Sequence, residues 1–341
     1  MPSQQWPIVS VILQAEPDEM RMIAIITAFL AGISSAAAQD WPTRPMTLVV
    51  PFAAGGSSDA IARILAEGLR TELGQAVLVE NVGGAGGMIG SSRVARAAPD
   101  GYEFILGNVG THAQNQSIYK RPLYNVVTDF APVGLVVNQG FALITRKDFP
   151  AGNLQEFMTY AKANQAKLQY GSGGVGSSNH LACLLINSTI GIEVTHVPYR
   201  GAGQVMQDLL AGRIDYQCPS LPLAIPHIKA GVVNALAILS KTRSSSLPDL
   251  PTAEEQGLAD FDIPTWYALF LPRATPADIV QKLNRGVAAT LQNPLVQQRL
   301  RELGSDLVPA DHMTPDYLRT FVAAEVEKWR RAITASGVQL E

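Results

Sequence analysis

The feature that most narrows the fold of this chain is a recurring unit: a short β-rich run, a glycine-containing loop, then a stretch of helical periodicity. Parallel strands need a crossover long enough to hold a helix, so repetition of this unit predicts parallel sheets covered by helices. Met46 to Val50 reads as a strand, 51–58 as a loop, and Asp59 to Leu73 as a helix with Ile61, Ile64, Leu65 and Leu69 on one side. Ala76 to Glu80, the glycine-rich 81–87 and a helix from Met88 to Ala98 repeat the unit, and Tyr102 to Leu106 is a third strand.

A second set follows. A strand over Phe141 to Thr145 precedes a helix over Leu154 to Asn164, for which Asn153 is the expected cap. Leu168 to Tyr170 leads through 171–178 into a helix around His180 to Ser188. Val194 to Val197 leads through 198–203 into Gln204 to Leu210, and Ile214 to Gln217 with Asn234 to Leu239 complete a second small sheet. Trp266 to Leu271 is a late strand. Two helices follow it, with start signals at Thr275-Pro276-Ala277-Asp278 and Thr314-Pro315-Asp316. These late helices have no strands after them and must return to an existing sheet. The expected division is therefore discontinuous: 39–140 with 265–341 as one lobe, 141–264 as the other, two connections crossing between them, and 1–38 outside both.

The segment before the first strand has the order of a secretory signal. Arg21 precedes an apolar core from Met22 to Ile33, and the small residues Ala36 and Ala38 place cleavage after Ala38. The core is shorter than the roughly 20 apolar residues a spanning helix needs. Residues 1–19 carry Glu16, Asp18 and Glu19 without a Lys or Arg, so translation is expected to begin at Met20 or Met22. With 16% charged residues and a formal net charge of −3 over 341 residues, the chain lacks the basic field that binding a phosphate backbone requires, and no nucleic-acid partner is expected. Cys183 and Cys218 would meet an oxidising compartment after export, yet free cysteine is commonly a small buried residue, and that is the reading taken here.

Two loops carry the chemistry. In Pro51-Phe52-Ala53-Ala54-Gly55-Gly56-Ser57-Ser58-Asp59, a strand's carboxyl end meets a helix start, where free N–H groups and the helix dipole favour an anion. An ordinary turn, with Ser57 or Ser58 as the helix cap, fits the residues equally well. The loop Gly171-Ser172-Gly173-Gly174-Val175-Gly176-Ser177-Ser178-Asn179-His180 repeats the logic in the second set of units. One such loop per lobe can face the other across a cleft, where ligands of α/β sheets bind. Gly171, Gly173 and Gly176 also satisfy G-x-G-x-x-G, which makes an NAD-dependent oxidoreductase the alternative. The acid expected at the far end of the next strand is missing there, since Glu193 stands at its start. No G-x-S-x-G elbow or phosphate loop occurs, and His180 with Cys183 lacks further metal ligands at suitable spacing. Neither catalytic residues, a cofactor nor a metal is expected. Asn108, which with His112 follows the third strand, joins the candidate binding residues.

Trp41-Pro42-Thr43-Arg44-Pro45, the 51–59 loop, Asn81 with Gly83-Gly84-Ala85-Gly86-Gly87, and Pro99-Asp100-Gly101-Tyr102 stand in order along the chain. Asp129-Phe130-Ala131-Pro132-Val133, Tyr170-Gly171-Ser172, His196-Val197-Pro198-Tyr199-Arg200-Gly201, Leu210-Ala211-Gly212-Arg213 and Trp266-Tyr267 continue the series. The whole resembles the Bug family, the extracytoplasmic solute receptors of tripartite tricarboxylate transporters. That resemblance implies a type II periplasmic-binding-protein fold, two α/β lobes with crossing hinge connections closing on a ligand cleft. It also implies a periplasmic, monomeric receptor that captures a small carboxylate and hands it to membrane permease subunits. Carried over residue by residue, the grip on the carboxylate falls to Phe52, Ala53, Gly55, Ser57, Ser58 and Asp59 on one lobe. Ser172, Gly173, Ser177, Ser178 and His180 match on the other, with Tyr199, Gly201 and Gly203 nearby. Arg200 is the candidate for a second acidic group on the ligand, with a surface salt bridge as an equally good reading of it. Neither loop contains Arg or Lys, so backbone amides, hydroxyls and water are expected to meet the charge.

Overall fold

The computed structural model describes residues 41–259 and 261–336. The expected signal segment and its cleavage position lie outside them. Contacts divide the chain into 1–43 and 44–341. Of the first unit only 41–43 are described, with a cis bond between Trp41 and Pro42. All that follows concerns the second unit.

Strand β1 (Met46–Val50) leads into helix α1 (Ser57–Leu73), and β2 (Val77–Asn81) into α2 (Met88–Ala95). β3 (Glu103–Asn108) runs into a wide helical turn, Gly110–Gln114, and the short α3 (Asn115–Ile118). β4 (Phe130–Gln139) completes this stretch. β1 buries Met46, Leu48, Val49 and Val50, so apolar side chains on both of its faces are covered. α1 buries Ile61, Ile64, Leu65 and Leu69, the stripe read from sequence.

The chain then enters a second sheet through β5 (Ala142–Arg146), α4 (Leu154–Asn164) and β6 (Gln169–Ser172). α5 (Ser178–Ile190), β7 (Thr195–Pro198), α6 (Ala202–Leu210) and β8 (Tyr216–Gln217) follow, then α7 (Leu221–Lys229) and β9 (Val233–Ile238). Asn153 caps α4 as expected, its side chain accepting from Glu156 N. The chain returns to the first sheet as β10 (Thr265–Pro272), and α8 (Ala277–Gln292), α9 (Pro294–Glu302), β11 (Asp306–Leu307) and α10 (Pro315–Ser336) finish it. Thr314 caps the last helix through Tyr317 N. Thr275 does not cap α8: its hydroxyl donates to Pro272 O at 2.7 Å instead, which leaves Pro276 at the cap position.

The first sheet has strand order β11-β4-β10-β3-β1-β2, the second β7-β6-β8-β5-β9. β1 pairs in parallel with β2 and β3, whereas β10 is antiparallel to β3 and β4. Each sheet has its own core, the second built on Ile144, Val205, Met206, Leu209, Ile225 and Ile238. The two crossings run side by side. Gln139 pairs with Thr265 where the chain leaves and re-enters the first sheet, and Ala142 pairs with Ile238 where it does so in the second. Between those pairs Leu239 N–H donates to Phe141 O at 2.8 Å. Two adjacent strands of this kind can bend together without unpairing either sheet.

Cys183 and Cys218 are not separate core thiols but form a disulfide. α5 and the end of β8 bring their Cα atoms to 5.4 Å, inside bridging range.

Candidate functional site

The ends of the strands and the starts of the helices meet at a cavity of about 40 Å³, several times the roughly 10–15 Å³ that one water needs. From the first lobe Phe52, Ala53, Gly56, Ser57 and Ser58 line it, with Asn108 at the end of β3 and Tyr267 on β10. From the second come Gly173, Ser177, Ser178, Asn179, Ala202 and Ser220, and Phe141 on the crossing strand completes the wall.

Four helices therefore begin at this cavity. Gly56 is the cap residue of α1, Ser177 of α5, Gly201 of α6 and Ser220 of α7. No side chain caps any of the four. In α1 the first intrahelical donor is Ala60 N, to Gly56 O at 3.1 Å, and in α5 it is Leu181 N, to Ser177 O at 3.1 Å. The N–H groups ahead of them, on Ser57 and Ser58 and on Ser178 and Asn179, have no partner within their helices. The ordinary-turn reading, in which Ser57 or Ser58 caps the helix, does not describe the loop. Positive helix ends converging on an apolar and hydroxylic pocket make a place for an anion. Among the described residues no Lys, Arg, His, Asp or Glu lines it.

Eight of the residues expected from sequence stand at this wall: Phe52, Ala53, Ser57, Ser58, Asn108, Gly173, Ser177 and Ser178. The others support it from outside. The Asp59 carboxylate holds Gly55 N–H at 3.2 Å and pairs with Arg63 at 3.0 Å. Burial would raise its pKa, but the bonds from Arg63, Gly55 and Asn81 bring it below the usual carboxylate value. Ser172 Oγ lies 2.6 Å from His196 Nε2, donates to Gly174 O and accepts Gly174 N–H. His180 is buried, its Nδ1 accepts from Gly176 N, and its ring lies 4.2 Å from that of His196. Burial first and the neighbouring His196 second push its pKa down to about 3. It braces the loop as a neutral ring. His112 is likewise enclosed, with Nδ1 2.9 Å from Thr111 Oγ1 and the ring stacked on Phe270.

Tyr199, Arg200, Gly201 and Gly203 form a rim. The Tyr199 hydroxyl donates to Asp208 at 2.7 Å, away from the cavity, and the Arg200 side chain is exposed. It is the Arg200 backbone that reaches the other lobe, its carbonyl accepting Ala53 N–H at 3.1 Å. Tyr119 Oη donates to Val175 O at 2.6 Å and Ser220 Oγ to Ser57 Oγ at 2.7 Å. These three bonds close the two lobes on the cavity. The approach is possible because glycine faces backbone: a Cβ on Gly86 would stand 2.1 Å from Val175 O.

Sequence reasoning missed Gly56, Phe141, Asn179, Ala202, Ser220 and Tyr267. Burial raises the Tyr267 pKa against bonds with Ser58, Ser220 and Asn108, so its hydroxyl remains a neutral donor. Asn179 had a signal, since it sits between two residues that were singled out; Ser220 had none without α7.

Over residues 61–338 the chain matches the family described as "Tripartite tricarboxylate transporter family receptor". Protein BugT of Bordetella pertussis is 34% identical over 325 residues, 94% of this chain and 99% of that one. The solved structure of the periplasmic binding protein BugD superposes with a TM-score of 0.86 at 38% identity, covering 88% of this chain and all of BugD. MatC from Rhodopseudomonas palustris with bound malate gives 0.84 at 37% identity, covering 86% and 100%. The fold and cleft are those of a type II periplasmic binding protein, two α/β lobes with crossing hinge connections. The chain belongs to the tripartite tricarboxylate transporter receptor family, whose members are periplasmic solute receptors. The oxidoreductase alternative finds no support in these relatives.

Proposed function

We propose that this receptor takes one small carboxylate into the cavity between its two sheets and passes it unchanged to permease subunits in the membrane. The observation that carries this reading is the convergence of four uncapped helix starts on a pocket to which none of the described residues brings a charged side chain. Malate in MatC, a protein of the same fold, supports it. The site residues are those at the wall, with Asp59, Ser172 and His180 holding the loops and residues 199–203 closing the rim. The lobes that move against each other are 39–140 with 265–341, and 141–264. The protein works as a monomer without a nucleic-acid partner, exported by a signal removed after Ala38, which sequencing the N-terminus of the exported protein checks.

A thermal-shift panel of acetate, lactate, succinate, malate and benzoate, each beside its neutral amide, tests the reading. A solute that binds only the folded state raises the midpoint by mass action. An acid is expected to shift it, its amide is not, and the acid should be recovered chemically unchanged. A best ligand without charge, or turnover of the bound acid, would sink the proposal.

A further inference from the structure

The Cys183–Cys218 disulfide ties together two segments that lead to the cavity. Cys183 lies in the first half of α5, and Cys218 follows β8 just ahead of Ser220, the cap residue of α7. β8 pairs with β5 and β6 through Tyr216 and Gln217, and Pro219, with no N–H to donate, cannot carry that pairing on. The stretch 218–220 therefore leaves the sheet and turns to a strand that crosses between the lobes. Ala142 N–H donates to Pro219 O and Leu221 N–H to Gly140 O, each at 3.0 Å, and Ser220 bridges Phe141. Bonds to a crossing strand do not fix Ser220 relative to α5. The Tyr216 Oη–Asn187 Oδ1 bond, 2.8 Å long, holds the far end of α5 to β8. The disulfide supplies the tie nearer the start of α5. Both cysteines are wholly buried, out of reach of a dissolved thiol in the folded protein, so the bridge is a permanent strut and not a redox switch.

We propose that this disulfide positions Ser220 for lobe closure, holding the start of α7 against α5 so that Ser220 Oγ meets Ser57 Oγ. That bond, at 2.7 Å, is one of those that close the lobes on the cavity. A bond between hydroxyls forms only over about 2.5–3.0 Å, so its worth depends on how closely the donor is placed before the lobes meet. A placed donor spares closure the cost of ordering it, and that saving appears as affinity. The proposal rests on the reading that a solute is held between closed lobes, and not on the charge of that solute.

A thermodynamic cycle separates a strut for Ser220 from a general brace. Cys183→Ala/Cys218→Val replaces the bridge by an apolar pair of similar volume, and Ser220→Ala removes the hydroxyl. Titration calorimetry uses whichever solute of the panel, acid or amide, shifts the midpoint most, so a neutral best ligand refutes the carboxylate reading and leaves this test standing. The unbridged variant and Ser220→Ala are each expected to weaken binding by roughly 4- to 10-fold, the scale of a neutral hydrogen bond. Combined, they should bind within about twofold of the weaker of the two, because a hydroxyl that is no longer placed has nothing left to lose. Losses that multiply show bridge and hydroxyl acting independently and overturn the assignment, as does an unbridged variant that binds like the parent. Pro219→Gly keeps the bridge and frees the backbone between Cys218 and Ser220. It should weaken binding over the same range and add nothing to Ser220→Ala; where the unbridged chain does not fold, parent-like binding by Pro219→Gly overturns the assignment. Amide exchange of the ligand-free chain asks the same question without a solute. Removing the bridge should quicken exchange at Leu221, Leu223 and Ala224 while β5 and β9 keep their protection. Protection lost evenly across the second sheet marks a general brace and refutes the strut.

Discussion

Gly203→Ala separates lobe closure from folding. Gly203 is the second residue of α6 and needs no left-handed backbone, so alanine fits the helix and should favour it by up to about 0.5–1 kcal/mol. In the closed arrangement, however, the new Cβ would stand 2.8 Å from Gly55 O and 3.0 Å from Gly55 C. Both are backbone atoms of the other lobe, and both distances fall several tenths of an ångström inside ordinary contact. Overpacking of this kind costs roughly 1–3 kcal/mol. The cost falls on the closed form alone, because opening carries α6 away from 51–58. A penalty of that size lowers the closed population relative to the open one by roughly 5- to 150-fold, and the apparent Kd rises by up to that factor. The expected result is opposite signs in two assays: the ligand-free melting midpoint holds or rises, while titration calorimetry shows weaker binding. If the variant bound within twofold of the parent, the contact between Gly203 and Gly55 would not belong to the state that holds the ligand.

Ser57→Ala removes a wall hydroxyl and the Ser220–Ser57 bond across the lobes, and Ser177→Ala removes the hydroxyl that donates to Gly174 O at 2.6 Å; each should weaken acid binding by about 1 kcal/mol or more, read by calorimetry. Reducing the Cys183–Cys218 disulfide frees a loop spanning 35 residues and should lower denaturant stability by about 3–4 kcal/mol on the chain-entropy estimate, checked by urea melts of the Cys183→Ser/Cys218→Ser variant. Burial lowers the pKa of His112 and His180 to about 3 and of His196 to about 4, His180 also feeling His196. The unfolded imidazoles protonate near 6.5, so this stabilisation is complete above about pH 6.5 and is lost as pH falls toward the folded values. Urea midpoints from pH 7 to 4 should fall, and less steeply in His196→Gln.

The architecture was legible because hydrophobic period and glycine placement are local signals. β1, α1, α4 and β10 could be read almost to the residue, since each has an apolar pattern bounded by a proline, glycine or capping residue. β4 was not, because Pro132 and Gly134 inside it look like strand breakers. Pro132 lies opposite Phe270, and on its other side β11 pairs only with Val137 and Asn138, so the missing N–H is not needed there. α7 was hidden for a similar reason: Pro222 lies in its first turn and Pro226 inside it, and a nine-residue helix tolerates the loss. Without α7 there is no reason to single out Ser220. The two loops were visible because strand, glycine and helix start are contiguous. Phe141, Ser220 and Tyr267 reach the cavity only by tertiary folding, as does the pairing of Cys183 with Cys218.

The distribution of donors suits a protein that must release what it captures. The second lobe contributes three of the four helix starts, at Ser177, Gly201 and Ser220, and the first lobe one, at Gly56. An anion therefore finds most of its partners around the second sheet, and the last helix start comes from the first. A buried guanidinium in the same place would hold the carboxylate by a charge pair whose separation leaves two ions to resolvate. Amides and hydroxyls leave only one. The bonds joining the lobes follow the same rule: Ala53 with the Arg200 carbonyl, Tyr119 with the Val175 carbonyl, Ser220 with Ser57, each between neutral groups. On opening, water can replace each of these partners at little net cost, since the net worth of such a bond is about 0.5–1.5 kcal/mol. The balance between open and closed forms is then left to the ligand, because among the described residues no ion pair across the cleft holds it shut alone.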